Sequence, residues 1–319
     1  MPELAPGQML DQYELLDTIA CSGMATVFRA RDIENDRTVA LKVPYLQYSS
    51  DIVSHQRFLR EEQIGLSLDH PGVIKTFRPA KRSRLYLVME YVEGELLSVR
   101  LQRERRFPIP SALELAIQIA DVLVYLHDRN VVHRDLKPDN IMILSTGKIK
   151  LMDFGIAFDT NQRRITWTGF SQPVGTPNYM APEQIKGQRG SPRTDIYSLG
   201  IILYELLTGK VPFSSRNVYA AMQAKILKNP IPPRRLRRDI SPELEEILLR
   251  ALERNPRDRL QSALEFRNAL ANPDAVVLTD RTAHRRPASR LAVWMWKLRA
   301  LAFGLSSSKE MKKFKGPEI

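Results

Sequence analysis

The pattern of apolar and polar positions changes along the chain from strand-like to helix-like. Three short stretches rich in branched and aromatic side chains are predicted strands, at 13–19, 38–43 and 85–92. Three longer apolar stretches are predicted helices, at 54–68, 111–127 and 195–207. Ser111 and Glu114 have capping-box spacing, which predicts the start of the second helix. The third is apolar nearly all round and is followed by Gly209, so we expect a buried central helix with a glycine cap.

Two polar motifs interrupt the apolar pattern. Residues 131–140 read V-V-H-R-D-L-K-P-D-N, and Asp153-Phe154-Gly155 follows the strand-like segment 149–152. Phosphoryl transfer needs a carboxylate facing the attacking hydroxyl, a lysine facing the moving phosphate, and oxygen ligands for magnesium. The motifs supply these residue types as Asp135, Lys137, Asn140 and Asp153.

This order of residues resembles the catalytic core of the protein kinases, specifically the bacterial eukaryotic-like (Hanks-type) serine/threonine kinases. The resemblance runs from about residue 11 to 270, about four fifths of the chain. It implies an α+β, two-lobed protein kinase fold. A small antiparallel sheet with one helix would form the N-lobe (about 11–92), and a larger, mainly helical C-lobe would follow (about 93–271). Residues 1–10 are expected to be a flexible N-terminus.

The same resemblance implies transfer of the ATP γ-phosphate to Ser or Thr hydroxyls of protein substrates, with Mg²⁺, or Mn²⁺ in its place. Asp135 would orient and deprotonate the hydroxyl, and Lys137 would stabilise charge on the moving phosphoryl group. Lys42, in a V-A-L-K segment, would hold the phosphates together with Glu61; Glu62 is the alternative partner. The metal ligands would be Asn140 and Asp153. The expected nucleotide contacts are Ile19, Ala20, Gly23, Val27, Ala40, Lys42, Met89, Glu90, Val92, Asn140 and Asp153.

Two further matches to the family are structural. Asp195 is expected to brace the backbone of the catalytic loop, and Arg259 is expected to pair with Glu183. Met89 resembles the residue behind the adenine, and Glu90 and Val92 would offer backbone hydrogen bonds to the adenine edge.

The glycine-rich loop departs from the family pattern. Its three G-x-G-x-x-G positions hold Ala20, Ser22 and Ala25, and only the additional Gly23 is a glycine. Glycines let backbone N–H groups come close to the phosphates, so we expect a weaker grip on ATP. The alternative function is therefore a pseudokinase or scaffold module with weak nucleotide binding. Against it stands the complete set of catalytic side chains.

The loop after Gly155 carries hydroxyls that could accept a phosphate. Arg134, beside the catalytic Asp135, is a cation that a phosphate on this loop would neutralise. The candidates are Thr168 first, by its spacing to Thr176, and then Thr166 and Ser171. We therefore expect activation by autophosphorylation of the loop.

Composition limits the class of protein. The 319 residues are 43% hydrophobic and 26% charged, as in globular domains. The single cysteine, Cys21, excludes an internal disulfide framework and suits a reducing cytoplasm. The N-terminus does not resemble a signal peptide, and no apolar run is expected to reach the roughly 18 residues of a membrane span. We therefore expect a cytoplasmic enzyme.

The positive charge is concentrated in the tail, residues 272–319. The whole chain carries a net charge of +12, and residues 281–319 hold ten Lys or Arg against two Glu. Within them, 291–305 is an apolar helix candidate with Trp294 and Trp296, which predicts peripheral contact with the anionic inner membrane face. The alternative is that this helix packs on the large lobe. Nucleic-acid binding has only charge in its favour, so no specific nucleic acid is expected.

Overall fold

The first part of the chain forms a six-stranded antiparallel sheet. The structure is a computed structural model that describes residues 4–45, 52–154, 158–159, 177–215 and 217–279. The strands are β1 (Met9–Leu10), β2 (Tyr13–Cys21), β3 (Ala25–Asp32), β4 (Arg37–Pro44), β5 (Thr76–Phe77) and β6 (Leu87–Glu90). Their order in the sheet is β1-β2-β3-β4-β6-β5. The three predicted strands are thus confirmed, although the third spans only Leu87–Glu90. Met9 and Leu10, expected within a flexible N-terminus, instead pair with β2, because Leu10 is buried in the core of the sheet.

One face of this sheet carries its own apolar core. Side chains alternate between the two faces of a strand, and the inward set includes Leu15, Phe28, Leu41 and Val88, all of them buried. The register pairs Ala40 with Met89 and Lys42 with Leu87. The lysine of the V-A-L-K segment therefore lies within a paired strand rather than at a strand end.

Helix α1 (Ile52–Ser67) packs against β5. The close approach occurs at Gly65, where a Cβ atom would lie 2.3 Å from Oγ1 of Thr76. Its Ile64 and the following Leu68 belong to the apolar core of the helical part of the chain, not to that of the sheet. Helix α1 therefore lies between the two cores.

The rest of the described chain is mainly helical. Its helices are α2 (Leu97–Glu104), α3 (Ile109–Asp128), α4 (Pro182–Ile185), α5 (Pro192–Thr208), α6 (Val218–Leu227), α7 (Pro242–Ala251) and α8 (Ala263–Ala271). The short strands are β7 (Gly94–Leu96), β8 (Val131–Val132), β9 (Ile141–Leu144), β10 (Ile149–Leu151) and β11 (Phe158–Asp159). They form a sheet of order β10-β9-β7 and the pair β11-β8. Single short turns of 3₁₀ helix link several elements.

Helix α5 is the buried central helix that the sequence predicts. Thirteen of its seventeen residues are buried, and it ends at Gly209, which has φ 71°. The N–H of Gly209 donates to the carbonyl of Glu205 at 2.7 Å. Because glycine adopts this left-handed conformation without a Cβ clash, the predicted cap is confirmed.

The predicted start of α3 is wrong. The helix begins at Ile109 with Pro108 as its N-cap, so Ser111 lies inside the first turn. Pro110 occupies the second helical position, where a missing N–H costs no intrahelical hydrogen bond. The prolines therefore start the helix two residues before the Ser111–Glu114 pattern.

Helix α3 also contradicts the expectation that no apolar run reaches the length of a membrane span. By length and composition alone its 20 residues are enough to cross a membrane. Eight of its side chains, among them Leu115, Ile119 and Leu123, are buried within the helical part. A helix that is buried in a core and a helix that spans a bilayer have the same apolar composition, so composition does not separate them.

A buried ion pair connects α4 with the chain before α8. Arg259 donates to both carboxylate oxygens of Glu183, at 2.8 and 2.7 Å, and Thr194 donates to the same carboxylate at 2.9 Å. Arg259 is 1% exposed and Glu183 is 4% exposed. This is the pairing that the family resemblance implied, and it fixes α4 against the far end of the helical part.

We expect Arg259→Met to lower the free energy of unfolding by about 3–5 kcal/mol, because Glu183 would keep a buried charge without its charged partner. Urea denaturation measures the change. The control is Arg31→Met, which removes an ion pair with Asp36 in which both side chains are more than half exposed. It should cost less than about 1 kcal/mol. Equal losses in the two variants would show that the buried pair does not stabilise the fold.

Candidate active site

The polar loop between β8 and β9 is fixed by the carboxylate of Asp195. Its Oδ2 accepts from the backbone N–H of His133 at 2.9 Å, and its Oδ1 accepts from that of Arg134 at 2.8 Å. Nε2 of His127 lies 2.9 Å from Oδ2. Burial alone raises the pKa of this carboxyl, but the hydrogen bonds from His127 and the loop backbone outweigh it and hold the pKa below its usual value. The carboxylate can therefore hold Arg134 at φ 69°.

Asp135, Lys137 and Asn140 come together on this loop. Nζ of Lys137 lies 2.7 Å from Oδ2 of Asp135, and Nδ2 of Asn140 donates to the backbone oxygen of Asp135 at 2.8 Å. Burial lowers the pKa of Lys137, but the charge of Asp135 counteracts burial, and the pKa lies above its ordinary value. The lysine therefore stays protonated. The side chain of Asp135 is 35% exposed. A carboxylate and an ammonium group are thus adjacent at an open surface.

His133 connects this loop with the segment that contains Asp153. The N–H of Asp135 donates to Nδ1 of His133 at 3.2 Å, which assigns the ring proton to Nε2, 3.2 Å from the carbonyl of Met152. The buried ring also lies 5.2 Å from that of Phe154. Asp153, between these two residues, has φ 63°. Non-glycine residues rarely adopt this conformation, and it concentrates at functional sites.

Lys42 joins the sheet to this segment. Its Nζ lies 2.7 and 2.9 Å from the carboxylate oxygens of Glu61 and 3.4 Å from Oδ1 of Asp153. Burial lowers the pKa of Lys42, but the two carboxylates outweigh burial and raise it above its ordinary value. The lysine therefore stays charged. Glu61 is the partner of Lys42, and the alternative, Glu62, pairs with Arg82 instead.

The residues that are expected to contact the adenine lie together near the end of β6, but the backbone N–H of one of them is already used. Ala40 is buried opposite Met89, and Val92 is half-buried. The N–H of Glu90 donates to the carbonyl of Lys75 at 2.9 Å, and its carboxylate accepts from Nζ of Lys150 at 2.5 Å. The backbone contact expected from Glu90 must therefore come from its carbonyl oxygen.

The loop between β2 and β3 is closed by Ser22. Its hydroxyl oxygen accepts from the N–H groups of Met24 and Ala25, at 3.3 and 3.1 Å, and its own N–H donates to the carbonyl of Ala25 at 2.9 Å. Ile19, Ala20 and Gly23 are exposed, whereas Val27 is half-buried. Three backbone donors of the loop are thus already used within the loop, two of them by the hydroxyl of Ser22.

Comparison with known proteins agrees with this geometry. The protein kinase domain family matches residues 13–273. The chain belongs to the protein kinase family. It is 36% identical over 287 residues to the serine/threonine-protein kinase PknB of Mycolicibacterium smegmatis, covering 86% of this chain and 46% of that relative. A probable serine/threonine-protein kinase of Streptomyces coelicolor is 37% identical over 267 residues, covering 82% of this chain and 40% of the relative.

Solved structures show the same fold. The crystal structure of the Mycobacterium tuberculosis PknI kinase domain matches with a TM-score of 0.67 and 26% identity, covering 85% of this chain and all of that one. The relatives place the chain among the bacterial Hanks-type serine/threonine kinases, and the two-lobed fold is that of the family. The chain spans about half the length of the curated relatives that it matches.

The oxygen ligands of this site fit a nucleotide with a divalent cation. Asn140 donates through Nδ2, so its Oδ1 is the end that can bind a cation, and Asp153 supplies a carboxylate that is 41% exposed. Among the described residues, no group of three or more His, Cys, Asp or Glu could hold a metal alone. One amide oxygen and one carboxylate suit a cation that takes its other ligands from phosphate oxygens and water.

Some predicted positions lie outside the described residues. They are Gly155, the hydroxyls Thr166, Thr168 and Ser171, Thr176, and the tail 281–319. Phosphorylation of the loop, and contact of the tail with the inner membrane face or with the large lobe, therefore stay predictions.

Sequence reasoning missed several buried side chains near this site. Lys225, fully buried on α6, donates to the carbonyls of Pro177, Asn178 and Met180, the stretch just before α4. Burial holds the pKa of this lysine below its usual value. In the sequence it is the one lysine of α6, and Lys228 follows just beyond the helix. No local signal separates the buried lysine from its solvated neighbour. The Glu62–Arg82 pair gave no local signal either.

We expect the double variant Ala20→Gly, Ser22→Gly to bind ATP more tightly than the wild-type protein, because it frees the N–H groups of Met24 and Ala25 for the phosphates. Each recovered hydrogen bond to a charged acceptor is worth about 1–3 kcal/mol. Calorimetric titration with Mg-ATP measures the gain. Equal affinity would show that the loop already closes over the nucleotide as it is.

Proposed function

We propose that this chain is a serine/threonine protein kinase that transfers the γ-phosphate of ATP to Ser or Thr hydroxyls of protein substrates with Mg²⁺. The observation that carries the proposal is the position of Lys42, whose Nζ lies within 3.4 Å of both Glu61 and Asp153. This contact joins the sheet, α1 and the segment after β10 at one point. The relatives named above, which are serine/threonine kinases, support the same activity.

Each step is assigned to a group with suitable chemistry. Asp135 accepts the proton of the substrate hydroxyl, and the protonated Lys137 beside it stabilises negative charge on the phosphoryl group in transfer. Lys42, fixed by Glu61, holds the α- and β-phosphate oxygens. Asn140 and Asp153 would hold the divalent cation, whose chemistry there would be neutralisation of phosphate charge. Mg²⁺ prefers oxygen ligands of this kind, and Mn²⁺ accepts the same set.

The pseudokinase alternative is less well supported. It rests on the three missing glycines of the nucleotide loop, which concern the grip on the phosphates. The polar groups for transfer form two contacting sets: Lys42 with Glu61 and Asp153, and Asp135 with Lys137 and Asn140. Weakened nucleotide binding in an otherwise complete site predicts a raised KM for ATP rather than loss of transfer.

We expect Asp135→Asn and Asp153→Ala to abolish phosphate incorporation while leaving the fold intact, because each removes one carboxylate from a half-exposed position. Mass spectrometry of the protein, incubated with and without Mg-ATP, detects and locates the phosphates. A generic basic protein serves as an added substrate. The matched control is Asp139→Asn, which changes an exposed carboxylate on the same loop and should keep activity. Wild-type protein without Mg-ATP-dependent incorporation would favour the pseudokinase alternative.

Activation by a phosphate on the loop after Gly155 is part of this proposal. Burial lowers the pKa of Arg60 on α1, and the nearby charge of Arg189 adds to the effect. Arg60 and Arg189, from the two parts of the fold, thus carry like charges that act on each other. Arg134, on the catalytic loop, is the cation that we expect a phosphate on the loop after Gly155 to contact, since phosphate oxygens bind arginine.

The triple variant Thr166→Ala, Thr168→Ala, Ser171→Ala is expected to lose most of its activity, at least about tenfold in kcat, because no phosphate can then form at these positions. Initial rates with the generic substrate measure the loss. Phosphatase treatment of wild-type protein should reproduce it. Full activity of the triple variant would refute control by phosphates at these positions.

A further inference from the structure

A second ion pair lies beside the Lys42–Glu61 pair on α1. The two terminal nitrogens of Arg82, in the turn before β6, donate to the two carboxylate oxygens of Glu62, one of them at 3.2 Å. The side chains are 23% and 14% exposed. A two-pronged arginine–carboxylate contact of this kind is geometrically specific and, when partly buried, stronger than a surface pair.

The two pairs leave α1 in different directions. Successive residues of an α-helix point about 100° apart around its axis. Glu61 therefore reaches β4 through Lys42, while Glu62 reaches the turn before β6 through Arg82. One anchor would leave the helix able to rotate about its own axis. Two anchors at this angle fix the rotation.

Ion pairs are suited to fixing the rotation of α1 against the sheet, because Ile64 and Leu68 pack on the helical part of the chain and not on the sheet. Ile64 belongs to the core of the helical part, and Leu68 continues the same contact just beyond the helix. The sheet meets α1 at Gly65, against Thr76. The ion pairs of Glu61 and Glu62 thus connect the helix with the sheet. They lie about one helical turn before Gly65, where the helix approaches Thr76.

Arg82 is itself held in place by the start of the sheet. Its guanidinium lies 5.4 Å from the ring centre of the buried Tyr86, whose hydroxyl donates to Oδ2 of Asp11 at 2.7 Å. The same oxygen accepts from the backbone N–H of Ser83 at 3.0 Å. Burial raises the pKa of Asp11, but the hydrogen bonds of Ser83 and Tyr86 and the charge of Arg82 outweigh it and lower the pKa. Asp11, just before β2, therefore anchors the turn as a carboxylate.

We propose that Arg82 and Glu62 are positioning residues of this kinase: their ion pair fixes the rotation of α1 and thereby keeps Glu61 on Lys42. Neither residue touches the reacting groups. Loss of the pair lets α1 turn, which withdraws Glu61 and leaves Lys42 free to move away from the phosphates. The inference rests on the proposed function, because its effect is measured as a change in the rate of phosphoryl transfer.

The test uses the full chain and a double-mutant cycle. Arg82→Met and Glu62→Gln should each lower kcat about tenfold and change the KM for the protein substrate less than about twofold, since orientation of the phosphates is lost. The double variant should lose no more than either single variant, because both changes break the same contact. Arg82→Lys, which keeps the charge, should recover part of kcat. Lys81→Met, an exposed neighbour on the same turn, is the matched control and should match wild type.

A second measurement does not depend on activity. Hydrogen exchange, followed by mass spectrometry on peptides of α1, should be about tenfold faster in both single variants and in the double variant, with exchange in α5 unchanged. Thermal melting confirms that each variant folds. Single variants with kcat within twofold of wild type, or additive losses in the double variant, would overturn the proposal.

Failure of the proposed function gives a different result. If wild-type protein transfers no phosphate, the kinase assignment fails, and exchange in α1 alone decides whether the pair anchors the helix. Faster exchange in the variants would then support the anchor, and unchanged exchange would overturn it as well.

Discussion

The carboxylate of Asp195 is the contact on which the active site depends. A buried charge is costly unless donors surround it, and here two backbone N–H groups of the catalytic loop and His127 supply them. Because Asp195 belongs to α5, the most buried helix of the fold, the loop is tied to a rigid element. The left-handed backbone of Arg134 can persist only because these hydrogen bonds over-determine it. Asp135 and Asn140 then follow in fixed positions.

The second constraint is electrostatic and acts between the two cores. The sheet and the helical part each bury their own apolar cluster, and α1 contributes to that of the helical part. The charges of Lys42, Glu61 and Asp153 meet where these bodies join. The attraction within an ion pair weakens as the two charges separate. On the proposed function, transfer therefore depends on the position of α1, and through the proposed Arg82–Glu62 anchor a contact as distant as Asp11 to Ser83 would bear on it.

In the nucleotide loop, between β2 and β3, hydrogen bonds within the loop compete with hydrogen bonds to phosphate. Ser22 satisfies N–H groups that glycines would leave available, so hydrogen bonds within the loop close it. A loop that is closed in this way loses less conformational entropy on binding, but it has fewer donors for phosphate. The positions of the catalytic side chains after β8 follow instead from Asp195 and His133.

The sequence by itself predicted the strands β2, β4 and β6, the helices α1, α3 and α5, the catalytic side chains and the glycine at the end of α5, since each follows from a local pattern or a short motif. It also predicted the Arg259–Glu183 and Lys42–Glu61 pairs through the family resemblance, with Glu62 as the alternative partner of Lys42. Only the tertiary structure decided between Glu61 and Glu62, paired Glu62 with Arg82, and buried Lys225 against three carbonyls. The Glu62 and Lys225 contacts join residues 20 to 48 positions apart, and the choice between Glu61 and Glu62 depends on the rotation of a helix. Local periodicity does not encode that rotation, because neighbouring residues of the same type differ only in the direction they point.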